Sequence, residues 1–350
     1  MEKKFILCYH KIMKYLFLSP KDDNYLFYYS DLLSNENVLF VETALNKRGL
    51  VGFFYRLHIS KKLNRVINLP FKDVWIKKYK SKKVREFIKD KTENCIVMVF
   101  RHSFFLFYRH SYEKWLKKIN PNIKLCFMFV DIVDSYKKGF DMKIAEDKFD
   151  AMFTFDREDS KKFGLIYYPH LVSFPRKIFF LENFKQSKKS LGGGVYFMGR
   201  AKNRLPLLVN IYKLLKHNGV RVLFEVVGVS ESDQVYKDEN FKYINLISYY
   251  EYLERCSKAD FLLEVMQSTA HSGYTTRVLE AISLDTKLIT NNTKLKNAPF
   301  YNKDMLSVFT SEEDFDLEFL SNSDVSSGWN YSDENYSADT LLKFIKSSIF

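Results

Sequence analysis

The chain has 350 residues and a net charge of +13, from 55 Lys and Arg against 42 Asp and Glu. That length exceeds one comfortable core and predicts two domains, and 46% hydrophobic and 17% aromatic residues are enough to pack both. Cys8, Cys95, Cys126 and Cys256 are widely spaced and mostly inside apolar runs, which excludes a disulfide framework or zinc site and predicts reduced, buried thiols in a cytoplasmic protein.

The N-terminus, MEKKFILCYHKIMKYLFLSP, is basic and then apolar, but His10, Lys11 and Lys14 interrupt it and no small-residue cleavage site follows. A signal peptide is therefore not expected, and no stretch approaches a transmembrane span. Charge is unevenly placed: residues 1–170 hold 33 Lys and Arg against 20 Asp and Glu, whereas the remainder has 22 of each. Lys61 to Lys91 alone contains 12 basic and 3 acidic residues.

In chain order, Lys4 to Tyr9 and Asn37 to Val41 read as strands, with a helix around Tyr25 to Leu33 between them. Thr43 to Leu57 reads as helical, and Arg65 to Leu69 as a strand before Pro70. In VWIKKYKSKKVREFIKD, Trp75, Ile76, Tyr79, Val84, Phe87 and Ile88 recur at helical spacing between lysines, which predicts an amphipathic basic helix. Such a helix either docks its stripe on the core or meets a membrane through Trp75, Phe87 and Ile88. Three apolar runs follow at the spacing of βα units. Cys95 to Phe100 precedes Arg101 and His102, Leu125 to Val130 precedes Asp131 and Asp134, and Ala151 to Phe155 precedes Asp156. Polar residues thus collect at carboxyl ends, where open parallel sheets place their ligands.

Residues 172–193 hold Pro175, a KQSKKS run and the first two of three glycines, Gly192 to Gly194, and read as a linker. A second α/β pattern begins at once. Strand Val195 to Met198 leads through GRAKNR to a helix from Pro206 to His217, ended by Gly219, and then to strand Val222 to Val227. Asn245 to Ser257 supplies a short strand and a helix. Ala338 to Ile349 reads as a C-terminal helix.

The stretch from Glu264 to Asn292 concentrates the chemistry. Phe261 to Met266 reads as a buried strand, followed by polar residues, Gly273, and a helix carrying Val278, Leu279 and Ile282; Lys287 to Thr290 is the next strand. A strand, a glycine loop and a helix leave unpaired N–H groups where the helix dipole favours a diphosphate. Thr275, Thr276 and Arg277 sit there with groups suited to phosphate oxygens, and Glu280 is placed to accept from ribose hydroxyls. The same pattern fits an ordinary strand–loop–helix with Arg277 and Glu280 as a solvated pair.

Gly273, Thr275, Arg277 and Glu280, followed by Lys287, Ile289, Thr290 and Asn292, resemble the G-x-T-x-R-x-x-E and K-x-I-T-x-N pattern of bacterial GT-B glycosyltransferases of capsule and lipopolysaccharide synthesis. The segment FDAMFTFDREDSKKFGLIYYPHL is similar to the last strand, helix and return strand of their first domain. In many relatives a second Glu precedes the ribose-binding one with seven residues between; Ser272 stands there in this chain. The resemblance implies an α/β fold of two Rossmann-like domains facing across a cleft, with the C-terminal helix crossing back. The domains would be an acceptor-side domain over 1–171, a linker over 172–193, a nucleotide-sugar domain over 194–335 and the crossover helix over 336–350. It implies donor binding by Gly199, Arg200, Arg204, Glu264, Gly273, Thr275, Thr276, Arg277 and Glu280, and draws an acceptor-side base from Asp131, Asp134 and His102. The implied partners are a nucleotide sugar and an oligosaccharide or lipid-linked acceptor. An anionic membrane surface would be met through Lys61 to Lys91, on the inner face of the cytoplasmic membrane. No metal or other cofactor is expected. Phosphate-loop, serine-hydrolase, zincin and dinucleotide signatures are all missing. A nucleotide-sugar epimerase of the same architecture remains a second reading, and a basic nucleic-acid-binding protein a remote third.

Overall fold

The structure is a computed structural model that describes residues 12–19, 28–42, 49–60, 63–67, 69–77, 79–136, 140–169, 194–266, 273–321, 328–330 and 337–350. The chain divides into two compact units, Met1–Ser173 with Ala338–Phe350, and Phe174–Ser337. The 172–193 linker and the Lys4 to Tyr9 strand lie outside the described residues.

The first unit is built on a six-stranded parallel sheet: β1 (Met13–Leu18), β2 (Val38–Phe40), β3 (Asn94–Val99), β4 (Ile123–Phe129), β5 (Ala151–Thr154) and β6 (Ile166–Tyr167), in the order β2-β1-β3-β4-β5-β6. β3 and β4 are buried along nearly their whole length, as strands covered on both faces must be. An aromatic group of Phe104, Phe127, Phe129, Tyr136, Phe140 and Phe149 packs beside them, with Phe104 and Phe140 centroids 4.5 Å apart. The C-terminal helix Ala338–Ser347 returns to this unit. It buries Leu341, Leu342 and Ile345, Phe344 packs on Tyr168 at 4.6 Å, and Tyr15 donates to the Leu342 carbonyl at 3.2 Å.

Several expectations for this unit are corrected. Arg65 to Leu69 is not a strand, because the Ser60 hydroxyl accepts from Leu63 N at 3.3 Å and starts a helix over Leu63–Val66. Of the helix expected around Tyr25 to Leu33, Tyr28 is helical among the described residues, and a 3-10 turn over Ser30–Leu32 follows it. The segment Val74 to Asp90 is two helices. A 3-10 turn spans Lys72–Ile76, and an α-helix over Lys82–Ile88 starts at Ser81, whose extended backbone and hydroxyl cap it. The apolar spacing recorded burial rather than one continuous helix, since Ile76, Tyr79, Val84 and Ile88 are all core residues. Ile88 therefore cannot enter a membrane, Phe87 packs against the core, and Trp75 is half-buried, donating to His58 Nδ1 at 2.8 Å.

The second unit holds β7 (Val195–Arg200), β8 (Val222–Val227), β9 (Phe241–Ile244), β10 (Phe261–Glu264), β11 (Lys287–Thr290) and β12 (Leu306–Val308) in the order β12-β11-β10-β7-β8-β9, all parallel. The strand expected within Asn245 to Ser257 lies earlier, as β9. Gly194 ties the amino ends of three strands. Its N–H donates to Asp260 Oδ2 at 3.0 Å, its carbonyl accepts from Phe261 N, and Val195 N donates to the Arg221 carbonyl. With φ +128° and a hypothetical Cβ only 2.5 Å from the Arg221 oxygen, this position excludes every residue but glycine. The helix Leu205–His217 ends at Gly219 (φ +72°), where Val220 N donates back to Leu215 O at 3.0 Å.

Candidate functional site

Counting its strands from β7, the second sheet has the 3-2-1-4-5-6 order of a doubly wound fold, and its order reverses between β7 and β10. Ligands of such sheets bind outside the carboxyl ends of the strands at that reversal. Gly199 and Arg200 end β7, and Glu264 ends β10. The helix Thr276–Ser283 starts after β10 with Thr275 as its N-cap. Fold and sequence pattern thus bring most of the expected donor residues to one sheet end.

Their roles at that end differ. Glu264 is 6% exposed and accepts from the Thr275 and Thr290 hydroxyls, the latter at 2.5 Å. The Thr275 side chain is therefore turned to the strand and does not cap its own helix. Burial pushes the Glu264 carboxyl above the ordinary range, and the two hydroxyl donors only partly offset it. Glu264 so joins the ends of β10 and β11 to the start of the helix. Asn291 and Asn292 extend this seam: Met266 N donates to Asn291 Oδ1 at 2.6 Å, and Asn292 Nδ2 to the Gly273 carbonyl at 3.5 Å.

Arg277 and Glu280 are not a solvated pair: their side chains are 14% and 3% exposed. Arg277 Nη2 donates to the Met198 carbonyl at 2.6 Å, Nε lies 3.6 Å from Glu280 Oε2, and the guanidinium stands 5.0 Å over the Tyr252 ring. Burial opposes the Arg277 charge, but Tyr252, Glu280, Cys256 and Tyr196 around it hold its pKa above the ordinary value. Glu280 accepts from Tyr249 Oη at 2.8 Å and also from Tyr252 Oη. Burial pushes the neighbouring Cys256 thiol up to about 12. Tyr249 and Tyr252 were read in the sequence only as helix residues. Their i, i+3 spacing, which puts both hydroxyls on one helix face, was the available signal.

Arg204 is spent on the backbone, with Nη1 donating to Val265 O and Nη2 to Arg200 O. Burial and the charge of Arg277 lower its pKa. Arg200, by contrast, is exposed and makes no ion pair among the described residues; its guanidinium lies near Gly228 after β8. Thr276 opens the helix, Gly273 is buried beside it, and Ser272 is outside the described residues.

In the first unit the order reverses between β1 and β3. Ser103 Oγ bridges the reversal, donating to Leu18 O at 2.9 Å and accepting from Phe100 N at 3.1 Å. His102, Asp131 and Asp134 are exposed at the carboxyl ends of β3 and β4. Asp131 accepts from Ile132 N at 3.0 Å, and Asp134 lies 3.8 Å from Lys162. Asp156 is a buried cap, accepting from Glu158 N and Asp159 N at 2.9 and 3.0 Å. Among the described residues no group of three His, Cys, Asp or Glu could hold a metal ion. Cys95, Cys126 and Cys256 are free and buried.

No family profile matches the chain, and no curated protein matches it in sequence. Solved structures do match over nearly full length. The Anabaena HepE protein in complex with UDP and glucose is 11% identical at a TM-score of 0.57, covering 97% of this chain and 99% of its own. An alpha-glucosyltransferase in complex with UDP and a 13-mer DNA is 13% identical at 0.54, covering 96% and 99%. The UDP-GlcNAc 2-epimerase of Methanocaldococcus jannaschii is 10% identical at 0.50, covering 96% and 99%. At such identities the likeness is one of fold. With two parallel six-stranded Rossmann-like sheets and a returning C-terminal helix, the chain has the GT-B architecture.

Proposed function

We propose that the chain is a glycosyltransferase that moves a sugar from a nucleoside diphosphate sugar to a hydroxyl of a surface-polysaccharide acceptor, of capsule or lipopolysaccharide type. The observation that carries this reading is the carboxyl end of the second sheet at its order reversal, where β7 ends in the exposed Arg200 and the Thr276–Ser283 helix starts after the neighbouring β10. A departing diphosphate needs pre-placed positive charge, and a cation with a helix start supplies it. Arg277 and Glu264 are assigned to shaping that end, and Glu280, expected at the ribose but covered by the Tyr249 and Tyr252 hydroxyls, to holding Arg277. UDP is the first nucleotide to test because solved structures of the same fold hold it. The acceptor hydroxyl gives up a proton, and the reading draws the base from Asp131, Asp134 and His102. No metal is assigned a role.

The test is calorimetric titration with UDP-, GDP-, TDP- and CMP-sugars. Arg200→Ala should weaken binding by about 1.5 to 3 kcal/mol, the cost of a charged hydrogen bond, without lowering the melting temperature. A wild-type chain that binds none of these sugars sinks the proposal. Replacing Asp131, Asp134 or His102 should leave donor affinity intact and cut transfer steeply in at least one variant. The epimerase reading is kept because of the 2-epimerase of the same fold; incubation with donor alone then yields an isomer. A lipid-linked acceptor and a peripheral place on the inner face of the cytoplasmic membrane belong to the same reading, supported by the basic excess of residues 1–170.

A further inference from the structure

The helix Gly49–Ile59 turns its apolar side outward. Among its described side chains and backbone positions Gly52 and Tyr55 are buried, whereas Leu50, Phe53 and Phe54 are 77%, 50% and 52% exposed. With half-buried Leu57 these recur at i, i+3, i+4 and i+7, the spacing a soluble helix reserves for its core. Of the fourteen large apolar side chains exposed among the described residues, eight lie between Leu50 and Val74. Scattered exposed hydrophobics need no explanation, but such a concentration does.

The segment that follows this helix is held in an unusual form. Phe71 sits at φ +62°, a conformation that bulky side chains rarely adopt, with its ring 79% exposed. His58 pins the residues on either side of it. Trp75 Nε1, which can only donate, gives its proton to His58 Nδ1 at 2.8 Å, so Nε2 carries the imidazole proton toward Pro70 O at 2.9 Å. Charge identifies the occupant. Residues 49–85 contain eleven Lys and Arg and one acidic residue, Asp73. Lys77, Lys80, Lys82 and Lys83 make no ion pair among the described residues. A second copy of so basic a surface repels the first, whereas an anionic lipid surface satisfies both the charge and the apolar face.

We propose that this segment is a membrane-docking surface. The Gly49–Ile59 helix lies in the interface of an anionic bilayer with Leu50, Phe53 and Phe54 among the acyl chains, Phe71 inserts beside it, and the lysines that follow meet lipid phosphates. No helix among the described residues is long and apolar enough to cross a membrane, so this contact lies on the bilayer. The inference rests on the membrane part of the reading above and on none of the donor chemistry. It also moves the contact from Trp75, Phe87 and Ile88 to side chains that are exposed.

The test is flotation of the full chain with phosphatidylcholine vesicles, with and without phosphatidylglycerol. Wild type should float only with the anionic vesicles, in a salt-reversible manner. Phe53→Ser with Phe54→Ser should cut partitioning by about tenfold or more, the effect of removing two buried rings from lipid, and Phe71→Ser should cut it less. UDP-sugar binding should be unchanged in all of them. In Phe54→Trp, brominated acyl chains should quench the added indole emission, which adsorption by charge alone would not produce. Failure to float, undiminished floating of the Phe→Ser variants, or unquenched emission from the added indole overturns the proposal. So does a wild-type dimer in sedimentation that the double variant dissociates. A wild-type chain that binds UDP-sugar but no vesicles refutes only the docking surface, and a wild-type chain that binds anionic vesicles but no sugar nucleotide refutes only the transfer reading.

Discussion

Glu264 lies where a charged carboxylate is costly, with two threonine hydroxyls as its partners. Its folded pKa is raised by burial. From the ordinary value of about 4.5 up to the raised one, the folded state binds more protons than the unfolded state, so stability is present at the acid end of that window and falls as pH rises through it. Glu264→Gln keeps the shape and removes the titration. Its melting temperature relative to wild type should therefore improve as pH rises above the ordinary carboxylate value; a constant difference across that range would show Glu264 unshifted. Arg277→Ala belongs to a different class from Arg200→Ala. It leaves the covered Glu280 carboxylate without its cation, which should cost about 3 to 5 kcal/mol in urea unfolding, as for one broken partner of a buried pair. Sequence spacing found Arg277 and Glu280 as neighbours, but not their burial, because the covering hydroxyls of Tyr249 and Tyr252 come from a helix more than twenty residues earlier.

Strands buried on both faces were the most readable elements. β3, β4, β7, β8, β10 and β11 are short apolar runs whose character survives without knowledge of their neighbours. Short helices were the least readable, because single hydroxyls set their starts: Ser60 turned a predicted strand into a helix, and Ser81 broke a predicted long helix in two. Asp156 shows the same ambiguity at a strand end. The sequence placed it where ligands gather, whereas it caps the Arg157–Phe163 helix with two backbone donors. Asp156→Ala should accordingly lower stability by about 0.5 to 2 kcal/mol, the usual cost of a lost cap, and leave UDP-sugar affinity unchanged. A loss of affinity with unchanged stability would return Asp156 to the ligand side.

At the scale of the whole molecule, the presence of two α/β units was legible from length, but the two sheet orders were not. Order depends on pairings such as β1 with β3, which joins Met13 to Asn94 across eighty residues that no local pattern encodes. The return of the C-terminal helix is a further non-local fact with a measurable consequence. Leu341 is fully buried in the first unit, while every expected donor residue belongs to the second. Leu341→Ala should destabilise the first unit by about 2 to 5 kcal/mol through the lost burial and the cavity left behind. A nucleotide sugar that binds the second unit stabilises it by mass action and cannot restore a contact it does not touch. In calorimetry the variant should therefore show an earlier transition that saturating UDP-sugar leaves in place, alongside a later one that the same ligand raises. A single transition that rises as a whole with ligand would show that the two units unfold together, and that the C-terminal helix contributes to the stability of the donor site as well as of the sheet it packs on.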